Sequence, residues 1–407
     1  MSSADQTPLR RRLGTTDAVV IGLGSMIGAG VFVVFGPAAA AAGPGLLVAL
    51  AVAAVVAYCN ATSSARLAAR YPQSGGTYVY GRERLGEFWG YLAGWSFVVG
   101  KMASCAAMAL TVGLYVWPGH AHAVAVAAVA GLTTVNYRGI QKSAVLTRVI
   151  VAVVLAVLAG AVAAIALSGR TDLGRIALIG GTPAGILQAA GLLFFAFAGY
   201  ARIATLGEEV RDPAHTIPRA IQLALAVTLA VYATLAVTLM AILGPNLSTS
   251  AAPLADAVRA AGAGWLEPVV RVGAAVAALG SLLSLILGVS RTGLAMARDG
   301  HLPSALAVVH PRFAVPHRAE VTVGVIVAVV AALADVRAAI GFSSFAVLVY
   351  YAIANASAWT LPGRDLVPVV GLAGCLVVAA CLPLASVIAG AAVLAAGALI
   401  YTLARLR

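Results

Sequence analysis

Apolar residues run through this chain in long blocks, each closed by glycine, proline or a cluster of charge. A helix needs about 20 apolar residues to cross a bilayer. The breaks predict twelve such helices, near residues 17–42, 45–69, 87–116, 120–137, 144–167, 184–207, 218–243, 265–294, 319–335, 338–361, 366–384 and 386–404. They are numbered here as spans 1 to 12. The first block follows Arg10, Arg11 and Arg12, but it runs too far and lacks a small-residue cleavage site, so it reads as a retained helix and not a signal peptide. A short surface helix is expected between Pro253 and Arg259, within the polar connection that joins spans 7 and 8.

Composition supports the pattern. The chain has 407 residues, 62% hydrophobic and only 10% charged, where soluble domains carry about a quarter charged. The fold class is therefore all-α and integral to the membrane, with no room for a sizeable soluble domain. A net charge of +12 could suggest a nucleic-acid partner, but the basic residues sort by loop. With the N-terminus inside, 18 of the 26 Lys and Arg fall on the cytoplasmic side, and the outer loops hold only Arg170, Arg175, Arg259 and Arg337. The positive-inside rule then places both termini in the cytoplasm and removes the nucleic-acid reading. Cys59, Cys105, Cys375 and Cys381 lie within apolar segments without metal-ligand spacing. His301, His310 and His317 sit beside prolines, so a solvated loop is expected for them. The low lysine and high alanine-arginine usage points to a GC-rich bacterial genome, hence to the inner membrane. No cofactor or metal is implied.

Span 1 carries glycine at 22, 24, 28, 30 and 36 of one apolar segment, and span 6 carries a second interruption at Gly199 between aromatics. Glycine in a membrane helix often serves close packing. Interrupted helices at corresponding places in two halves point instead to an inverted-repeat transporter, with the substrate held near the midplane. A break persists in hydrocarbon only where it is buried or lines a cavity. One at Gly28–Gly30 would turn amide donors and a helix dipole toward an anion such as a carboxylate.

Three stretches carry a family resemblance: GSMIGAGVF at Gly24–Phe32, FFAFAGYARIATLGEEVRDPAHTIPRA at Phe194–Ala220, and SRTGLAMARDGHLP at Ser290–Pro303. The sequence resembles the amino acid-polyamine-organocation transporters through span 10. The resemblance implies two inverted five-helix repeats, 17–167 and 184–361, followed by two further helices at 366–404. It also implies a binding site made of Ser25, Ile27, Gly28, Ala29 and Gly30 with Phe195, Ala196, Phe197, Ala198, Gly199 and Tyr200. Amides around Ala29 and Gly30 would take the substrate carboxylate, carbonyls near Ser25, Phe195 and Ala198 its ammonium, and Phe195 and Tyr200 would act as lids. Glu208, Glu209, Arg211 and Asp212 end span 6 at the inner surface, as structure or part of a gate.

Lys101 stands in span 3, ~22 Å beyond the cytoplasmic start at 1.5 Å per residue, and an ionisable residue so placed is a functional hypothesis by default. No Asp or Glu occurs at a similar depth, and desolvation penalises a lone ammonium. Lys101 is thus the candidate proton carrier. Proton-coupled relatives often place a lysine in span 5 where this chain has Val154, while Arg148 lies only one turn into that span and should snorkel to the inner face. Sodium is the alternative, with Ser281 and Ser284 as ligands beside the span 1 carbonyls; proton coupling is preferred. A cationic amino acid or polyamine would call for a buried acid, yet Ala201 occupies the place where many relatives carry an acidic or polar group. Neutral amino acids are therefore expected. From another class, a non-transporting sensor or accessory subunit remains open, whereas no buried nucleophile or acid pair suggests an enzyme.

Overall fold

A computed structural model describes residues 13–71, 75–139, 144–176, 180–204, 206, 210–313, 315–363 and 365–405. Arg10 to Arg12, Lys142, Glu208, Glu209, Arg364 and Arg407, used above to read topology and the end of span 6, lie outside the described residues. The described chain is helical, and its single β-bridge pairs Leu13 with Val210. Nine of its helical stretches are long and apolar enough to cross a membrane. Ala121–Tyr137, His317–Leu333 and the shorter Val367–Ala380 complete the predicted series. The chain is an all-α, multi-pass membrane protein of about twelve helices.

Spans 2 to 5 are Leu46–Arg70, Glu87–Val116, Ala121–Tyr137 and Ala144–Leu167. Spans 7 to 10 are Pro213–Leu243, Glu267–Arg298, His317–Leu333 and Val336–Trp359, and span 12 is Leu384–Arg405. Spans 3 and 10 are the most enclosed, ahead of the glycine-marked spans 1 and 6, and Cys105, Leu110, Ile340 and Leu348 help fill the centre. Span 12 is mostly exposed and would face lipid. Its end returns to the start of span 3, where Tyr401 packs edge-on against Phe88 at 5.5 Å between ring centres. Arg148 of span 5 does not stand free at the surface but pairs with Asp17 of span 1. These contacts gather the starts of spans 1, 3 and 5 and the end of span 12 on one side, called here the terminal face.

Two connections fold into helices. The expected surface helix between spans 7 and 8 forms over Pro253–Ala260, with Leu254, Ala257 and Val258 buried beneath it. The other, Thr77–Leu85, lies at the terminal face between spans 2 and 3 and was not anticipated. Its signal was local: Gly75, Gly76 and Gly86 take φ of +130°, +58° and +103° at its two ends, a region closed to most side chains.

Candidate functional site

Span 1 is helical over Thr15–Met26, loses regular structure at Ile27–Ala29, and resumes from Gly30 to Ala42 with a small irregularity at Val34. Span 6 runs Pro183–Phe197, tightens into a 3-10 turn at Ala198–Tyr200, and continues over Ala201–Ala204. Both glycine-marked interruptions are therefore real, the first an unwound turn and the second a tightened one. They also touch. A Cβ on Gly30 would stand 3.0 Å from Ala196 Cα, and one on Gly199 would stand 2.4 Å from the Ser25 carbonyl oxygen. Gly28 gives way to the Ser281 hydroxyl, whose oxygen would lie 2.2 Å from an added Cβ. Packing and interruption thus need the same glycines, while Gly22 and Gly24 serve contacts with Ile203 and with span 5.

Against this crossing lies a cavity of about 250 Å³. Ser25, Lys101, Phe195, Ala198, Gly199, Ser281 and Ser284, all singled out from the sequence, line it. It continues past Arg291 and Ala295 to Gly75 and Tyr78 near the terminal face. On the other side of the crossing the Tyr115 hydroxyl donates to the Phe32 carbonyl at 2.8 Å and the two rings meet edge-on at 5.7 Å, and beyond them a separate hollow of about 230 Å³ is lined by Val33, Leu114 and His122. Ile27, Gly28, Ala29, Gly30, Ala196 and Phe197 are buried behind the lining. Tyr200, expected as a lid, is also outside the lining: it is fully buried, with its ring 5.1 Å from that of Tyr351. Phe195, 8% exposed, is the span 6 aromatic that borders the cavity, which Phe97 and Tyr350 also line.

Lys101 reaches the span 6 interruption itself. Its ammonium donates to the Ala198 carbonyl at 3.3 Å, and the residue is 7% exposed. That carbonyl was a candidate acceptor for a substrate ammonium, and Lys101 already occupies it. The Ser281 hydroxyl donates to the Gly24 carbonyl at 3.2 Å, while Ser284 bonds back to Gly280 within its own helix at 3.1 Å. Among the described residues, no Asp or Glu lines the cavity, and no group of three or more His, Cys, Asp or Glu is placed to hold a metal ion.

At the terminal end, Tyr78 donates to Asp299 at 2.5 Å and faces His301 Nδ1 at 2.9 Å, while Arg82 reaches Asp299 at 3.1 Å. The expectation of a solvated His301 is corrected here, since its side chain is only 13% exposed and its ring lies among those of Tyr78, Tyr91 and Tyr401. Burial pushes the imidazole below its ordinary value of 6.5, with Glu87 and Asp299 opposing. Between that lowered value and 6.5 the unfolded chain binds more protons, so stability falls as pH drops below about 6.5. His301→Asn is expected to flatten this acid limb of a melting-temperature profile between pH 7.5 and 5. An unchanged limb would assign it to other groups.

Comparison with known proteins identifies the family. The chain is 72% identical over 379 residues to an uncharacterized transporter of Mycobacterium tuberculosis, covering 91% of this chain and 86% of that one. It is 28% identical over 343 residues to the branched-chain amino acid permease BcaP of Bacillus subtilis, covering 78% and 73%. It is 29% identical to cationic amino acid transporter 4 of Homo sapiens, over 86% of this chain and 59% of that protein. Residues 13–404 match the model of the amino acid permease family. The chain belongs to that family of membrane transporters.

Proposed function

We propose that the chain is a secondary active transporter that carries neutral amino acids across a bacterial inner membrane by alternating access, coupled to protons. The observation that carries this reading is the crossing of two interrupted helices beside a cavity in which Lys101 holds the carbonyl of one interruption. Ser25 brings span 1 to the cavity wall, and the amides of its unwound turn, behind the lining in this state, would take the substrate carboxylate when the site rearranges around it. The repeats 17–167 and 184–361 would supply one interruption each, with 366–404 added outside them.

The charge distribution favours a cytoplasmic terminal face. The cavity then opens inward while the Phe32–Tyr115 side closes the outer path, as one end state of alternating access requires. Lys101 inside the cavity and Arg291 along it oppose a substrate with a second positive charge, which favours neutral over cationic amino acids despite the names of some relatives. Lys101 in the cavity wall, a group able to take up and release a proton, favours protons over sodium.

Uptake of radiolabelled amino acids into proteoliposomes, under imposed pH or sodium gradients, tests the reading. Accumulation of a neutral amino acid driven by an inward proton gradient is expected. Binding without accumulation would make the chain a sensor or accessory subunit, and accumulation of arginine or a polyamine alone would reverse the substrate assignment.

A further inference from the structure

The interruptions free backbone carbonyls in hydrocarbon, where an unpaired polar group is costly. In an unbroken span 1, the amide of Gly30 would take the Met26 carbonyl, four residues back. The unwound turn removes that partner. In its place stands a side chain from a third helix: the hydroxyl of Tyr232, in span 7, lies 2.5 Å from the Met26 carbonyl oxygen. The same hydroxyl lies 3.1 Å from the carbonyl oxygen of Ala196, next to the turn in span 6.

Tyr232 is fully buried and does not line the cavity. Its ring is held by Phe197 at 4.9 Å and Phe35 at 6.3 Å, so the hydroxyl is aimed by packing. A phenol carries one proton to donate, here shared between two carbonyls that belong to different helices.

We infer that Tyr232 is a positioning residue whose hydroxyl fastens the two helix interruptions to one another and so sets the affinity of the substrate cradle. This rests on reading those interruptions as the cradle. A ring with a packing role alone would be replaced by phenylalanine without consequence. A ring that acts through its O–H would not, because both carbonyls then lose their donor in a dry place.

The variant Tyr232→Phe keeps the ring and removes the hydroxyl. The half-saturating substrate concentration is expected to rise about tenfold, equivalent to about 1.4 kcal/mol, with the maximal rate per inserted protein little changed. p-Aminophenylalanine at position 232, which retains a donor, should restore affinity. Parental affinity in Tyr232→Phe, or a loss that the amine does not restore, would overturn the inference. Hydrogen exchange provides an arm that needs no substrate: peptides spanning residues 22–34 and 194–204 should share one protection level in the parent protein. Independent exchange of the two segments would overturn the inference even if the variant failed to insert. Absence of uptake by the parent with shared protection would instead count against the transport reading and leave the fastening intact.

Discussion

Replacing Gly199 by alanine is expected to reduce transport by about two orders of magnitude while leaving the protein inserted in the membrane. An added Cβ would stand 2.4 Å from the Ser25 carbonyl oxygen and 2.7 Å from the Met26 amide nitrogen. Both are backbone atoms of the opposing interruption, so no rotamer change can relieve the clash. Overpacking of this kind costs about 1–3 kcal/mol, small enough for a helix bundle with many other contacts to survive. Its functional effect is larger, because a displacement of about 1 Å at a reacting or binding geometry can cost ~100-fold. Gly160→Ala is the control, since nothing lies within 4 Å of its added carbon and alanine favours the helix. Initial uptake rates normalised to inserted protein check the contrast. Equal rates for Gly199→Ala and Gly160→Ala would mean that the crossing of the interruptions does not set the site.

Lys101→Gln should lose accumulation driven by a pH gradient yet retain exchange of substrate for substrate. Glutamine keeps an N–H that can donate to the Ala198 carbonyl, but it cannot release or take up a proton. With one proton per substrate, a gradient of one pH unit can support about tenfold accumulation, and the variant should fall to no accumulation. Lys101→Met removes the donor as well and should weaken exchange too. The two variants separate the proton from the hydrogen bond. Accumulation in Lys101→Gln that still follows the pH gradient would remove Lys101 from the coupling step.

The spans were legible because hydrocarbon imposes a length and a polarity that the sequence must obey locally. The same holds for the interruptions at Gly28–Gly30 and Gly199, which stand out as poor choices for unbroken apolar helices. The partners that cap the freed carbonyls were not legible. Tyr232 lies 206 positions from Met26 and reads as one more aromatic in an apolar helix. Only the crossing of spans 1, 6 and 7 gives its hydroxyl a task. Lys101 was conspicuous by depth, yet its acceptor, Ala198, is a backbone atom on a helix 97 positions away. Tyr200 lies outside the lining for a related reason, since a one-residue step in a 3-10 turn rotates a side chain by about 120°, here toward Tyr351 and away from the cavity. The helix Thr77–Leu85 is short and polar and carries no membrane-length signal; its glycine boundaries acquire meaning only through their positive φ values.

The central claim is that main-chain groups at two crossing interruptions read the zwitterion of an amino acid. Equilibrium binding to the purified protein tests it most directly, comparing a transported amino acid with its methyl ester and with the amine left by decarboxylation. The account predicts that the free amino acid binds and that both derivatives bind at least tenfold more weakly, since each lacks the carboxylate that the span 1 amides would hold. Equal binding of the amine and the amino acid would contradict it.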